Sequence, residues 1–220
     1  MAEQNETRIL LVDDHPVVRK GLAAVIDEQA DLHVCAQVGT YAEALEALRS
    51  HKPDVALVDL RLGEGSGLNL IGEMLAVTPE LAALVFSMHD DKQFAERAIR
   101  AGARGYVMKQ EPTETLLEAI RQVRDGEIYL RPDLAPQVME RLIADGSNMQ
   151  LTELDRLSDR EVEVLQLMAE GMNRREIAEE MGLSVKTIES YRENMKKKLE
   201  LRDTVLLAQY AVRALGNTSV

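Results

Sequence analysis

The chain reads as a five-stranded parallel α/β domain, doubly wound, followed by an all-α domain of four helices. Three observations predict this. Short apolar runs alternate with helical stretches up to about residue 125. Those runs are continuously apolar rather than alternating, as expected of strands covered on both faces. From residue 158 onward every apolar pattern has helical spacing, punctuated by caps and glycines.

The first strand is Ile9-Leu10-Leu11-Val12, which runs into Asp13-Asp14. Pro16 suits the first turn of a helix, and Val18, Leu22, Val25 and Ile26 follow at helical spacing. His33 to Val38 is the second strand and Ala42 to Arg49 the second helix. Val55-Ala56-Leu57-Val58 runs into Asp59, Leu81 to Phe86 into Ser87, and Gly105-Tyr106-Val107-Met108 into Lys109. Helices are expected at about 68–77, 91–102 and 112–125. Sites in such sheets form beyond the carboxyl ends of the strands. Asp13, Asp14, Asp59, Ser87 and Lys109 should therefore converge, although far apart in the chain.

Beyond residue 126 the pattern weakens. Leu134, Val138, Leu142 and Ile143 suggest a helix after Arg131-Pro132, and Asp145-Gly146-Ser147-Asn148 reads as a flexible link. Ser158-Asp159-Arg160-Glu161 is a capping box before Val162, Leu165 and Met168, and Gly171 ends that helix. Ile177, Ala178 and Met181 mark a second helix, closed by Gly182. Ser184 caps a third, with Ile188, Tyr191, Met195 and Leu199 on one face, and a fourth covers about 203–214. The expected division is a polar tail at 1–7, an α/β domain at 8–126, a linker with a helix at 127–153 and a helical domain at 154–216.

With 45% apolar residues the chain can bury real cores. Aromatics are only 3% and Trp is absent, so the cores are aliphatic and a base-stacking single-strand binder is disfavoured. The ten methionines read as core filler. The single cysteine, Cys35, cannot form an internal disulfide; it reads as inert packing and fits a reducing, cytoplasmic setting. Residues 1–7 lack signal-peptide character, and no run approaches the roughly 18 apolar residues of a membrane span. The net charge of −12 argues against nucleic acid. It is uneven, however: residues 151–220 carry 11 Lys/Arg against 13 Asp/Glu, leaving −10 for the rest. Between 184 and 202 basic residues outnumber acidic ones six to three, a local surface that would need pairing for useful DNA affinity.

Three carboxylates at neighbouring strand ends repel one another and call for a cation. An all-oxygen donor set favours Mg2+ (or Mn2+), which keeps several waters. Asp14 and Asp59 are the expected direct ligands with the Arg61 backbone carbonyl, and Asp13 acts through a water. With that charge offset, Asp59 can attack phosphorus and form an acyl phosphate, Lys109 and Ser87 each meeting a phosphoryl oxygen. His15 and His89 flank the site without a partner at ligand spacing and read as polar neighbours. The rival reading is a phosphatase with Asp59 as covalent nucleophile. Such enzymes, of the haloacid dehalogenase kind, want a second Asp two residues on, where Arg61 stands.

Asp13-Asp14, Asp59, Ser87 and Lys109, in this order and with the stretch from Ala101 to Lys109, resemble the receiver domain of two-component response regulators. That resemblance implies a flavodoxin-like fold. It also implies that Asp59 takes phosphate from a sensor histidine kinase, and that Ser87 and the switch aromatic Tyr106 then reshape the face formed by the fourth helix, fifth strand and fifth helix. The domain would catalyse its own phosphoryl transfer and slow self-dephosphorylation without being an enzyme in the ordinary sense. Gly67 matches the family's loop glycine, but Gly63 replaces the usual proline and Glu64 adds charge nearby, which predicts a looser loop.

Leu157 to Leu165, Gly171, Glu176-Ile177-Ala178, Leu183-Ser184, Lys186-Thr187-Ile188 and Lys198-Leu199 resemble the LuxR-type helix-turn-helix domain, and the whole chain resembles the NarL/FixJ class. A short helix, a tight turn and a capped second helix form the unit that enters a major groove. Lys186, Thr187, Lys196 and Lys197 are placed for phosphate contacts; Glu189, Ser190, Arg192 and Glu193 are candidates for base edges. Tyr191 stands where the family often has His. In the family the last helix pairs two domains on a two-fold site, which makes Val205, Leu206, Ala208, Gln209 and Val212 dimerisation candidates. The resemblance implies a sensor kinase, double-stranded promoter DNA and a second copy as partners, with RNA polymerase a further one. The competing readings are a protein-binding helical module for the second half, and a regulator that binds DNA without phosphorylation.

Overall fold

The computed structural model describes residues 6–62, 65–88, 92–144 and 153–215, and its contacts divide the chain into two compact units, Met1–Asn148 and Met149–Val220. In the first unit β1 (Thr7–Val12), β2 (Leu32–Val38), β3 (Val55–Val58), β6 (Ala82–Ser87) and β7 (Gly105–Met108) form one parallel sheet in the order β2-β1-β3-β6-β7. The helices α1 (Pro16–Asp27), α2 (Tyr41–His51), α3 (Gly67–Val77), α4 (Lys92–Arg100) and α5 (Thr113–Arg124) alternate with the strands of this doubly wound sheet. The continuous apolar runs are explained by burial: every residue of β3, β6 and β7 is buried. Ile9, Leu11, Leu57, Leu84 and Val107 pack against Ile26, Leu116 and Ile120 of the flanking helices.

Three backbone hydrogen bonds carry the ladder one step past the strands. Asp13 N donates to Val38 O at 3.2 Å, Asp59 N to Val12 O at 2.8 Å and Lys109 N to Ser87 O at 2.7 Å. Side chains far apart in sequence are thereby held at one edge of a rigid sheet.

Two pieces were not expected from the sequence. Residues after Asp59 form a small antiparallel ladder, β4 (Arg61–Leu62) against β5 (Gly65–Ser66), with Gly63 and Glu64 outside the described residues. Ser66 then caps α3, its Oγ accepting from Asn69 N at 3.2 Å. Residues 127–144, expected as a linker with a helix, pack on the first unit. Tyr129 N donates to Arg104 O at 2.8 Å and Tyr106 N donates to Tyr129 O at 3.1 Å, a parallel bridge along the free edge of β7. An edge strand has unpaired backbone groups, and the returning chain satisfies them. α6 (Ala135–Ala144) packs on α4, and Leu134 and Val138 are buried. The side chains of Leu142 and Ile143, and the link at 145–148, lie outside the described residues.

The second unit opens with a 3-10 turn at Glu153–Arg156, also unexpected, then α7 (Asp159–Ala169), α8 (Arg174–Glu180), α9 (Val185–Lys198) and α10 (Thr204–Leu215). The Ser158/Glu161 capping box forms as read, and Asn173 with Glu176 makes a second one at α8. Gly182, at φ 64°, takes the left-handed conformation that lets the chain turn between α8 and α9, and Leu183 N donates back to Ala178 O at 2.8 Å. Leu157, Val162, Leu165, Ile177, Ile188, Met195, Leu207 and Ala211 are buried, whereas Tyr191 is half-buried. No helix among the described residues is long and apolar enough to cross a membrane.

Candidate acidic site and nucleic-acid interface

The strand ends assemble a buried charge cluster. Asp13 and Asp59 are each 3% exposed and Ser87 is fully buried at the end of β6. Lys109 Nζ lies 2.6 Å from Asp13 Oδ2 and 2.6 Å from Asp59 Oδ2, so one ammonium bridges two carboxylates from different strand ends. Its charge also sits 5.8 Å from the centre of the Phe86 ring. Asp14 is half-buried beside them. Ligand atoms of Asp13, Asp14, His15 and Asp59 all lie within 4.8 Å of one another. Three carboxylates against one ammonium leave an excess of negative charge where water is largely excluded, which is costly unless a further cation or proton joins them. Oxygen donors this close together suit a hard divalent ion. Arg61 stands two residues beyond Asp59 at the start of β4.

His15 has more partners than its sequence spacing implied. Its Nδ1 lies 2.6 Å from Asp14 Oδ1 and 3.2 Å from Asp13 Oδ1, and its backbone N donates to Asp13 Oδ1 at 2.7 Å. It is thus a polar neighbour of the carboxylates; His89 lies outside the described residues. Arg19 went unnoticed in the sequence: from α1 its guanidinium donates to the Asp13 carbonyl oxygen. Only its helical position one turn past Pro16 hinted at this.

Gly67 explains how Asp59 is seated. A Cβ there would sit 2.3 Å from the Asp59 carbonyl oxygen and 2.7 Å from Leu60 Cα, so only glycine lets α3 start against the backbone of Asp59. Tyr106 is 2% exposed, and through Tyr129 its backbone is bonded to the segment that leads out of the sheet. Cys35 is half-buried, its Sγ donates to Ile9 O at 3.3 Å, and burial pushes its thiol pKa up, which lowers its thiolate fraction.

In the second unit, α9 buries Ile188, Met195 and Leu199 and turns a polar face outward. Lys186, Glu189, Ser190, Glu193 and Lys197 are exposed, and Thr187, Arg192 and Lys196 are half-buried. Several of these groups already have partners. The Thr187 hydroxyl meets Ser184 Oγ at 2.8 Å within the helix cap, and Ser190 Oγ donates to Lys186 O at 3.1 Å. Lys196 lies 2.8 Å from Glu193, whose carboxyl it holds below the usual range by a hydrogen bond. Arg174 of α8 reaches Glu189 at 2.6 Å, a partner the sequence reading missed because it lies on another helix.

The base of α9 is fixed from within. Lys198 Nζ donates to Glu161 Oε2 at 2.7 Å, and that buried carboxylate also accepts from Ser158 N at 2.7 Å and Ser158 Oγ at 3.0 Å. One carboxylate thus caps α7 and anchors the C-terminal end of α9. On α10, Val205 is 66%, Leu206 39% and Val212 56% exposed, with Gln209 also exposed and Ala208 half-buried beside them.

Residues 9–121 match the family model described as response regulator receiver domain, and residues 155–211 match that of bacterial regulatory proteins, luxR family. Over 210 residues the chain is 34% identical to oxygen regulatory protein NreC of Staphylococcus haemolyticus (strain JCSC1435), covering 94% of this chain and 97% of that protein. A two-component response regulator of the LuxR family from Aurantimonas sp. SI85-9A1 is 32% identical, with TM-score 0.59, over 63% of this chain and 99% of that one. RcsB from Salmonella enterica serovar Typhimurium, bound to promoter rprA in the presence of phosphomimetic BeF3-, is 25% identical with TM-score 0.58, over 98% and 100% of the two chains. With both modules matched in order over nearly its whole length, the chain belongs to the two-component response regulators of the NarL/FixJ class, which join a receiver domain to a LuxR-type helix-turn-helix domain.

Proposed function

We propose that Asp59 is the phosphoacceptor through which a sensor histidine kinase controls DNA binding by this transcription regulator. The observation that carries this is the position of Asp59: 3% exposed, 2.6 Å from Lys109, and with ligand atoms of Asp13, Asp14 and His15 within 4.8 Å. An Asp59 oxygen forms the new bond to phosphorus while the donor's phosphorus–nitrogen bond breaks and the imidazole leaves with a proton. Lys109 transfers its charge from the carboxylates to a phosphoryl oxygen, and Ser87 meets another. Asp14, Asp59 and the Arg61 carbonyl would hold Mg2+ or Mn2+, with Asp13 behind a water; the ion's chemistry is to neutralise charge developing on the phosphoryl group. Self-dephosphorylation by water at the same site would reset the switch.

The proposed output is a dimer on a two-fold DNA site in the cytoplasm, with RNA polymerase as a further partner. RcsB bound to promoter DNA with a phosphomimetic supports this by analogy. So does the exposed apolar strip Val205, Leu206 and Val212 on α10, suited to pairing two domains. Lys186, Thr187, Lys196 and Lys197 would meet phosphates, and Glu189, Ser190, Arg192 and Glu193 base edges. Incubation with acetyl phosphate and Mg2+, followed by intact-mass analysis, should add one phosphoryl group to the wild type and none to Asp59→Asn. Equal modification of the variant would remove Asp59 from this role.

A further inference from the structure

We infer that Arg174 is a specificity-determining residue that aims the Glu189 carboxylate at a base, so that two helices jointly set the sequence preference at the step Glu189 faces. This rests on α9 being the helix that faces DNA, and adds to it a residue from α8.

The geometry has three parts. Arg174 Nη1 lies 2.6 Å from Glu189 Oε1, while both side chains stay about half exposed, at 55% and 49%. The backbone at Arg174 is pinned: it directly follows Asn173, whose side chain accepts from Arg175 N and Glu176 N while Glu176 returns a bond to Asn173 N at 2.7 Å. Its guanidinium therefore departs from a fixed point. Arg174, Glu189, Arg192 and Glu193 also line one open concavity, so the pair lies beside two of the other base-edge candidates.

The chemistry follows from donors and acceptors. A carboxylate near DNA is repelled by phosphates and has no donor to offer. With Oε1 held by a guanidinium, its charge is offset and its remaining lone pairs take a fixed direction. Such a group accepts from the exocyclic amine of cytosine and is refused by the acceptor oxygens of thymine and guanine. An exposed ion pair contributes little to folding, so the pairing has its effect where DNA excludes water. An unpaired arginine at this rim would instead be a general phosphate contact, without sequence preference.

The test uses the full-length phosphorylated protein and equilibrium competition over a library of sites, with wild type, Arg174→Ala, Arg174→Lys and Glu189→Ala. Glu189→Ala should flatten the preference at one position in each half-site. Arg174→Ala should flatten the same position, with about a tenfold loss of discrimination against the wrong base. Combining the two should add nothing further, Arg174→Lys should keep part of the preference, and thermal unfolding should not change. The inference is overturned if Arg174→Ala weakens all sequences equally and lowers the salt dependence by about one released counterion, the mark of a phosphate contact. It is overturned as well if Glu189→Ala changes no position. Lys197→Ala, read in the same assay, tests α9 as the DNA-facing helix separately: a salt dependence lower than wild type upholds that reading even where the Arg174 inference fails.

Discussion

The two charged regions of this chain are built in opposite ways. In the receiver, Asp13, Asp59 and Lys109 are almost wholly buried and held at 2.6 Å by a rigid sheet edge. On α9 most of the charges stand in water, and the partners of Glu189 and Glu193 are neighbours on the surface, Arg174 and Lys196. A buried cluster is preorganised but costly, and its cost is relieved by added positive charge or by chemistry on a carboxylate. An exposed face costs little and discriminates little until a polyanion removes the water. The first region thus suits a covalent switch and the second a reversible, salt-sensitive contact.

The contrast sets the order of expected effects. Lys109→Met should be the most damaging, because it removes the ammonium that bridges Asp13 and Asp59; about 3 kcal/mol of stability should vanish in metal-free buffer. Urea unfolding would measure it, and added Mg2+ should restore part of the loss. A change under about 1 kcal/mol would mean the cluster is far better hydrated than its burial implies.

Glu161→Gln comes next. It is a buried carboxylate that holds α9, and losing its charge should cost about 1–3 kcal/mol. DNA affinity should fall more than unfolding of the domain accounts for, because Lys198 no longer fixes the end of α9. Equal losses in affinity and stability would reduce Glu161 to a helix cap.

The smallest effect separates the units by pH. Tyr210 is pushed up to about 12, chiefly by burial and further by Glu153, and Tyr41 in the receiver is also raised to about 12 by burial and Glu73. A phenol raised in the folded state stabilises fully below its unfolded value near 10, and that contribution is lost as pH climbs toward 12. Asp31 runs the other way: the Arg121 hydrogen bond lowers it to about 2, so its contribution holds above its unfolded value and fades as pH falls toward 2. At 39% side-chain exposure that acid contribution is strongly screened. Tyr210→Phe should therefore remove an alkaline loss from the helical domain and leave the first unit's own, to which Tyr41, Tyr129 and Cys35 contribute, in place. Urea midpoints at pH 8 and at about pH 11, compared between wild type and variant, would test this.

Much of the acidic site was legible because its residues stand directly after strands whose apolar runs are unmistakable. Val12, Val58 and Met108 each mark where a strand ends, so the sequence alone aligns Asp13, Asp59 and Lys109 at one edge. The α9 face was legible from its cap and periodicity. Residues acting across elements were not. Arg19, Arg174 and Tyr129 lie in ordinary helical or loop contexts, and nothing local marks them.

The sequence by itself determined the five strands of the parallel sheet and the α-helices, about where they stop, and which carboxylates and lysines stand at their ends. Periodicity, caps and glycines are local properties, read within a turn or two of chain. Only the tertiary structure decided that residues 127–131 close the edge of β7 beside Tyr106, that Glu161 serves α7 and α9 at once, and that Glu189 faces outward with Arg174 attached. Those contacts join positions far apart in the chain, and their partners are chosen by which surfaces meet as each unit's own core packs.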